Sequence, residues 1–294
     1  MAFGIGEDKG CHPRMASLGT NRGAHGMPSL DGIPLKLHEA WGLNHECKLS
    51  IFDWLRIRKE KRYKKGKVSI WGREWKYVDG TTLIVGLKEI FVEKIYQFET
   101  ENETPLIIDC GSNIGFSVYY FKQLFPKAKV IAFEADPVIF DVLGENMANT
   151  GLKDIELINK AVWDKDETLE FRSEGGMSGR VRIKDEEGEL YKVQGTRLKD
   201  YLNRKVDFLK IDIEGAEYRV ISDCREELKN VERIFVEYHS PKNEEQKLSE
   251  ILEILKTSGF RVYVKEAYVP KNPFMDIQAV DGMDLQLNLY GVRQ

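Results

Sequence analysis

The sequence predicts an α/β fold in which a mostly parallel sheet is wrapped by helices. From about residue 105 onward, short apolar runs alternate with stretches of helical periodicity, which is typical of such sheets. A glycine-rich turn follows the first apolar run, at residues 110–115. With 294 residues, of which 42% are hydrophobic and 31% are charged, the chain has the composition of a globular protein.

Each element of this sheet can be placed on the sequence. Seven apolar runs are predicted to be strands: Leu106–Asp109, Val130–Phe133, Ile155–Ile158, Phe208–Ile211, Ile234–Glu237, Arg261–Lys265 and Leu285–Tyr290. Helices are expected from Gly115 to Phe125, from Pro137 to Thr150, after Gly215, and over an apolar stripe that begins at Leu248 and is closed by Gly259. Asp136 should cap the second of these helices, and Gly151 should end it. The alternating, glycine-containing segment 164–192 is expected to be a hairpin beside the sheet.

The chain before this sheet divides into two further parts. Residues 1–34 are rich in Gly, Ser, Asn and Pro without periodicity, and they are expected to be a flexible leader. Residues 35–100 are predicted to form a small α/β extension that caps the site or binds the acceptor, ahead of the main domain at 101–294. A helix over 83–98 should join the two. The basic run from Arg56 to Lys65 is interpreted as a solvated helix face before a small β element, with binding of an anionic group as the alternative.

Charge and hydropathy exclude several classes of protein. The net charge of −4 provides no overall field for nucleic acid or anionic membranes. No stretch approaches the roughly 20 apolar residues that cross a bilayer, and the N-terminus does not resemble a signal peptide, so a cytoplasmic location is expected. The cysteines, which lack zinc-type spacing, are expected to be reduced thiols. They are Cys11, Cys47, Cys110 and Cys224.

Acidic residues and glycines after the first two strands predict a nucleoside pocket, because ligands of parallel sheets bind beyond the carboxyl ends of the strands. The loop from Asp109 contains Gly111, Asn113 and Gly115, whereas the dinucleotide fingerprint has a third glycine and no carboxylate near the pyrophosphate. Glu134, which ends the second strand, can accept hydrogen bonds from both ribose hydroxyls of an adenosine and would repel a 2′-phosphate. The negative charge suits a cationic cofactor, and S-adenosylmethionine carries both an ammonium and a sulfonium.

A third group of acidic residues ends the fourth and fifth strands. Asp212 and Glu214 are two residues apart and should point to the same side if the extended backbone continues. Glu217 is interpreted as a structural residue at a helix start. Glu237 and His239 follow on the next strand, and His239 is the only histidine beyond residue 45.

Taken together, these segments resemble the FkbM family of S-adenosylmethionine-dependent methyltransferases. The matching segments are Ile108–Phe116, Ala132–Pro137, Asn159–Val162, Thr196–Leu198 and Asp207–Glu217. The resemblance implies a Rossmann-like, seven-stranded sheet with the last strand antiparallel. It further implies O-methylation of a hydroxyl on a sugar, glycan or natural product. It does not reach residues 1–100, where acceptor specificity is expected.

The resemblance also implies roles for individual residues. Asp109, Gly111, Asn113 and Gly115 would hold the methionine part, Glu134 the ribose, Asp136 with Ala161 and Val162 the adenine, and Asp212 the sulfonium. The full set of expected cofactor-binding residues is Asp109, Gly111, Ser112, Asn113, Gly115, Glu134, Asp136, Ala161, Val162 and Asp212.

Two mechanisms stay open for the expected in-line displacement by a hydroxyl oxygen. His239, Glu237 or Asp212 could act as the base, or a divalent ion bound by Asp212 and Glu214 could lower the hydroxyl pKa. The alternative functions are an NAD-dependent dehydrogenase or nucleotide-sugar enzyme and a non-catalytic methyltransferase-like subunit. Methylation of nucleic-acid bases is ranked low, because Asp212-Ile-Glu stands where an Asn-Pro-Pro-Tyr-type element is expected.

Overall fold

The computed structural model describes residues 37–173, 180–181 and 189–293. The predicted leader lies outside the described residues, as does most of the far end of the predicted hairpin. Thirteen strands are present among the described residues: β1 Gly66–Ile70, β2 Arg73–Tyr77, β3 Leu106–Cys110, β4 Lys129–Phe133, β5 Ile155–Ile158, β6 Ala161–Trp163, β7 Thr168–Ser173, β8 Arg180–Val181, β9 Glu189–Arg197, β10 Phe208–Ile211, β11 Arg233–Pro241, β12 Phe260–Tyr268 and β13 Met283–Arg293. The α-helices of the same residues are α1 Leu37–Cys47, α2 Ile51–Arg58, α3 Gly80–Leu87, α4 Phe116–Leu124, α5 Pro137–Thr150, α6 Glu217–Asp223 and α7 Leu248–Thr257.

Seven strands form the central sheet in the order β12-β13-β11-β10-β3-β4-β5. The last strand, β13, runs antiparallel to both of its neighbours, and the other pairings are parallel. This confirms the expected α/β fold with a seven-stranded, mostly parallel sheet. Because β3, β4, β10 and β11 are parallel, their carboxyl ends lie at one edge, where Asp109, Glu134, Asp212 and Glu237 are found.

Side chains of the central strands alternate between two hydrophobic cores, one on each face of the sheet. On β3 and β10, Ile107 and Phe208 enter the core that contains α4 and α5, whereas Ile108 and Leu209 enter the core that contains α6 and α7. Strands buried on both faces therefore have continuous apolar sequences, which is why they stand out in the sequence.

The N-terminal extension packs on the α4 and α5 face. Its strands β1 and β2 form an antiparallel hairpin after α2, as the sequence predicts. Trp71 and Trp75 of this hairpin contact Phe116 of α4, with ring centroids 6.2 and 4.9 Å apart. Asn146 of α5 anchors the same hairpin. Its side-chain amide accepts a hydrogen bond from the backbone N–H of Lys76 at 2.8 Å and donates one to the Lys76 carbonyl at 3.0 Å. The extension thus shares one core with the sheet.

The basic run is predicted to be a solvated helix face before a β element, but α2 ends at Arg58, so the residues from Lys59 to Lys65 form the turns between α2 and β1 instead. Arg56 pairs with Glu60 at 2.8 Å, and Arg62 pairs with the fully buried Asp79 at 3.0 Å. Four lysines of the run are exposed: Lys59, Lys61, Lys64 and Lys65.

Three further segments differ from the sequence predictions. The helix expected over 83–98 ends early, because α3 passes into a π-helical turn at Lys88–Val92. The fifth strand extends well beyond Ile234–Glu237, because β13 pairs with it along its whole length. The expected hairpin, formed by β7 with β8 and β9, also recruits β6 into a separate four-stranded sheet.

Further expectations concern the cysteines and the membrane. Cys47, Cys110 and Cys224 are buried free thiols, and burial raises the pKa of Cys47 to about 12. In the part of the chain that the structure describes, no helix has both the length and the apolarity to cross a membrane.

Candidate active site

The glycine-rich loop after β3 lies tightly against the end of β10. Gly111 has φ of +85°, and a Cβ added to it would lie 1.8 Å from the carbonyl oxygen of Asp212. The backbone N–H groups of Gly111 and Ser112 both donate to the carbonyl of Phe133, at 3.0 and 2.9 Å. Glycine is therefore required at Gly111 both for the backbone conformation and for the close approach of two strands.

Glu134 lies at one end of a cavity along this edge of the sheet. Its two carboxylate oxygens accept hydrogen bonds from the backbone N–H groups of Asn113 and Asp136, both at 2.9 Å. Burial raises the pKa of Glu134 to about 7, although the backbone donors act in the opposite direction. A carboxylate oxygen can accept more than one hydrogen bond, so Glu134 can still receive hydroxyl donors from the cavity.

The structure separates the predicted cofactor residues into two sets. Those that line the cavity are Gly111, Ser112, Asn113, Glu134, Ala161, Val162 and Asp212. Asp109, Gly115 and Asp136 lie behind its wall. The Asp136 side chain caps α5 by accepting hydrogen bonds from Val138 and Ile139 at 2.8 and 3.2 Å. Gly115 starts α4 at φ of +99°, against Leu143 and Met147 of α5.

Asp109 is fully buried and belongs to an ion-pair network that the sequence analysis did not foresee. Lys210 of β10, with 2% of its side chain exposed, places its Nζ atom 3.3 Å from Asp109 and 3.1 Å from Asp212. The same ammonium donates to the carbonyl of Gly111 at 2.8 Å, and Ser117 donates to Asp109 at 2.5 Å. Burial opposes the charged lysine, but Asp109 and Asp212 outweigh it and raise the Lys210 pKa well above its usual value. The sequence did contain a signal for this network, namely a lysine inside the apolar run Phe208–Ile211, because a buried charge needs a charged partner.

The other end of the cavity is acidic. Asp212, Glu214 and Glu237 line it, each with a quarter or less of its side chain exposed. Burial raises the pKa of Glu214 to about 8, and burial together with Asp212 raises that of Glu237 well above its usual value. These are the three carboxylates that the sequence predicts at this edge of the sheet.

His239 lies behind these carboxylates, with 3% of its side chain exposed. Its Nδ1 atom is 3.0 Å from Glu217, and its Nε2 atom is 3.7 Å from Glu214 and 3.8 Å from Glu237. Burial disfavours the charged ring, but the carboxylates of Glu214 and Glu217 prevail and raise the His239 pKa well above its usual value. Glu217 also accepts from the backbone of Ile213 and Gly215, so it has the structural role that the sequence suggested.

The N-terminal extension supplies a wall of the cavity that the motifs did not indicate. Its lining residues are Thr82, Gly86, Glu89, Ile90 and Tyr96. Glu89 lies in the π-helical turn, and burial followed by the charge of Glu93 raises its pKa to about 7. π-Helical turns are frequent at functional sites, but they depend on tertiary packing and have no simple sequence signature.

Comparison with known proteins identifies the family. The model of the methyltransferase FkbM domain matches residues 109–262. The methyltransferase sdnD of Sordaria araneosa is 28% identical over 203 residues, which cover 56% of this chain and 78% of that protein. The 2-O-methyltransferase NoeI of Sinorhizobium fredii is 29% identical over 159 residues, covering 47% of this chain and 65% of that protein.

A solved structure of methyltransferase FkbM from Methylobacillus flagellatus aligns over 72% of this chain and 54% of that chain, with 13% identity and a TM-score of 0.44. The family model spans more than half of the present sequence, from Asp109 at the end of β3 into β12. The chain therefore belongs to the FkbM family of methyltransferases.

Proposed function

We propose that this protein is an S-adenosylmethionine-dependent O-methyltransferase that acts on a hydroxyl of a small molecule, sugar or glycan. The main observation in support of this proposal is a single cavity that has carboxylates at both of its ends. Glu134 lies at one end, and Asp212, Glu214 and Glu237 lie at the other. A nucleoside cofactor with a cationic centre fits this distribution of charge.

The residues of the cavity suit that cofactor. Its empty space is about 1110 Å³ when the open mouth is included, and the lining combines apolar side chains with a few carboxylates and backbone N–H groups. Glu134 would bind the ribose hydroxyls, Ala161 and Val162 would pack on the adenine, and Asp212 would face the sulfonium. Asp109 would act indirectly, by holding Lys210 against Asp212. When bound, the cofactor supplies an activated methyl group on a positively charged sulfur.

The carboxylates at the acidic end would prepare the acceptor. A neutral hydroxyl is a weak nucleophile, so a base close to its proton favours the transfer of the methyl group to its oxygen. Asp212 and Glu237 line the cavity and can receive this proton, whereas His239 is separated from the cavity by Glu214 and Glu237. We therefore assign His239 to positioning. Oxygen as the acceptor atom is supported by NoeI, which is a 2-O-methyltransferase.

Calorimetric titration with S-adenosylhomocysteine tests the cofactor assignment. We expect micromolar or tighter binding, which corresponds to roughly 8 kcal/mol or more, and no binding of NAD. Glu134→Ala should weaken the binding at least tenfold. Glu134→Gln, which keeps the size of the side chain, separates loss of charge from disruption of the loop. Glu156→Ala, at an exposed position on the neighbouring β5, should leave the affinity unchanged. Binding of NAD without S-adenosylhomocysteine would overturn the proposal.

Methyl transfer to a panel of sugars and hydroxylated small molecules tests the reaction. Asp212→Asn and Glu237→Gln should each lower kcat by about 10²- to 10⁴-fold where the residue acts as the base. Cofactor binding without transfer to any hydroxyl would favour the non-catalytic subunit. Glu89→Gln should raise KM more than it lowers kcat, because we propose that the N-terminal extension contacts the acceptor.

A further inference from the structure

Three side chains at the acidic end of the cavity form a compact set of ligand atoms. Asp212 and Glu214 follow β10, and His239 lies on β11. One oxygen or nitrogen atom of each lies within 4.8 Å of the other two. Two carboxylates and one imidazole of this spacing can surround a single ion. We propose that this set binds a hard divalent cation of the Mg²⁺ or Mn²⁺ class, which positions the acceptor hydroxyl.

The orientation of His239 is the first independent observation in favour of this site. Its Nδ1 atom is held by the carboxylate of Glu217, which is 1% exposed and is anchored by the backbone of Gly215. Histidines that ligate metals commonly donate their second ring nitrogen to a carboxylate in this way, because this fixes the tautomer and leaves Nε2 free to bind. Glu217 and His239 form such an arrangement.

The free end of this ring is the second observation. His239 is about as buried as the core residues, yet its Nε2 atom approaches Glu214 and Glu237 only to 3.7 and 3.8 Å. These distances exceed that of a hydrogen bond. A divalent cation that displaces the Nε2 proton would lie between this nitrogen and the carboxylates. The Nε2 atom of this buried ring is thus directed at the carboxylates of the cluster, at ion-pair rather than hydrogen-bond distance.

The balance of charged groups in the cluster also favours a bound cation. Asp109, Asp212, Glu214, Glu217 and Glu237 are five carboxyl groups that share one ammonium, from Lys210, and one imidazole. Lys210 is occupied by the two aspartates and by the carbonyl of Gly111.

Ligand chemistry selects the class of ion. Carboxylate oxygens favour hard cations, and an added imidazole is compatible with Mn²⁺ and other first-row ions. Three protein ligands leave positions for water and for an acceptor hydroxyl, whose pKa the ion would lower. The role in positioning the acceptor rests on the proposed function, but the binding of the ion does not.

Electron paramagnetic resonance of Mn²⁺ tests the site on the full chain after treatment with a chelator. We expect one ion to bind per chain, with an electron spin-echo modulation from a directly bound imidazole nitrogen. Glu214→Gln and His239→Ala should each weaken the affinity at least tenfold, and His239→Ala should abolish the nitrogen signal. Glu217→Gln should weaken the affinity for Mn²⁺ by about 10-fold or more, because His239 would lose the carboxylate that orients its ring. The exposed Glu103→Gln serves as the matched control and should change nothing.

Two outcomes would overturn the site: the absence of stoichiometric Mn²⁺ binding, or binding without a nitrogen signal in the native chain. The second readout needs no variant, so a misfolded substitution cannot leave the question undecided. Titration of the same samples with S-adenosylhomocysteine separates this inference from the proposed function. Cofactor binding without Mn²⁺ binding overturns the metal site alone, whereas Mn²⁺ binding without cofactor binding overturns the cofactor assignment and leaves the metal site standing.

Discussion

The two ends of the cavity satisfy their carboxylates in different ways. At the Glu134 end, both carboxylate oxygens of Glu134 accept hydrogen bonds from backbone N–H groups, and Asp136 caps a helix. At the acidic end, Asp212, Glu214 and Glu237 have one buried lysine and one buried histidine as their positive neighbours. The carboxylate of the first end has its donors without a ligand cation, whereas the second end has more carboxyl groups than positively charged partners.

This difference indicates what each end is built to receive. Backbone donors fix the position of Glu134, so that end is suited to a ligand of constant shape, such as a nucleoside. Buried carboxylates without matching donors are costly unless a cation or a proton joins them. The acidic end is therefore suited to the charged and reacting groups.

Lys210→Met should have the largest effect, because it removes the ammonium that pairs with two aspartates beside the acidic end. The fully buried Asp109 and the partly buried Asp212 would be left without their partner, and we expect a loss of about 3–5 kcal/mol in the free energy of unfolding. Chemical denaturation measures it. The control is Lys127→Met, whose pair with Glu103 is exposed and should contribute no more than about 1 kcal/mol. Equal losses in the free energy of unfolding would show that the buried ion pair contributes no more to stability than the exposed one.

Gly111→Ala should have the next largest effect, because it forces the glycine loop away from β10. The strained φ and the overlap with the carbonyl of Asp212 together should cost about 3 kcal/mol of stability and weaken cofactor binding. Gly144→Ala is the matched control. Gly144 lies within α5 with open space around it, so its replacement should stabilise the protein by about 0.5–1 kcal/mol. Unaltered binding in Gly111→Ala would mean that the two ends are not coupled through this loop.

These two residues also show how far the sequence could predict the molecule. Gly111 lies in a local turn motif, and the strands around it are short apolar runs, so both were predictable. Asp212, Glu214 and Glu237 were placed at one edge because the carboxyl ends of parallel strands coincide. The role of Lys210 was missed because its fully buried partner, Asp109, lies far away in the sequence, on β3. The π-helical turn that carries Glu89 depends on packing that no local pattern encodes.

The pH dependence of cofactor binding sharpens the contrast at Glu134. Its pKa of about 7 in the folded protein means that the carboxyl group is largely neutral at lower pH. Ribose hydroxyls donate best to the ionised form, so affinity for S-adenosylhomocysteine should fall as the pH drops below 7, by up to about tenfold per pH unit. Calorimetry at several pH values measures this effect, and Glu134→Gln should remove it.

The contribution of Glu134 to the stability of the fold should change with pH in the opposite direction to the affinity for the cofactor. Because the folded pKa of Glu134 is raised above its ordinary value of 4.5, its contribution to stability is fully present below that value and is lost as the pH rises through about 7. Lower pH would thus strengthen this part of the fold while weakening cofactor binding. An affinity that stays constant below pH 7 in the native chain would contradict the assignment of Glu134 to the ribose.

Asp136→Ala should have the smallest effect and decides between two roles for this residue. The sequence resemblance places Asp136 near the adenine, whereas the structure places its side chain on the first turn of α5, behind the cavity wall. Loss of the cap should lower the free energy of unfolding by about 1 kcal/mol. Affinity for S-adenosylhomocysteine should change less than twofold, because the backbone N–H of Asp136 still donates to Glu134. Asp136→Asn, which retains a capping oxygen, should preserve stability. A tenfold loss of affinity in both variants would instead place the Asp136 carboxylate in the binding site.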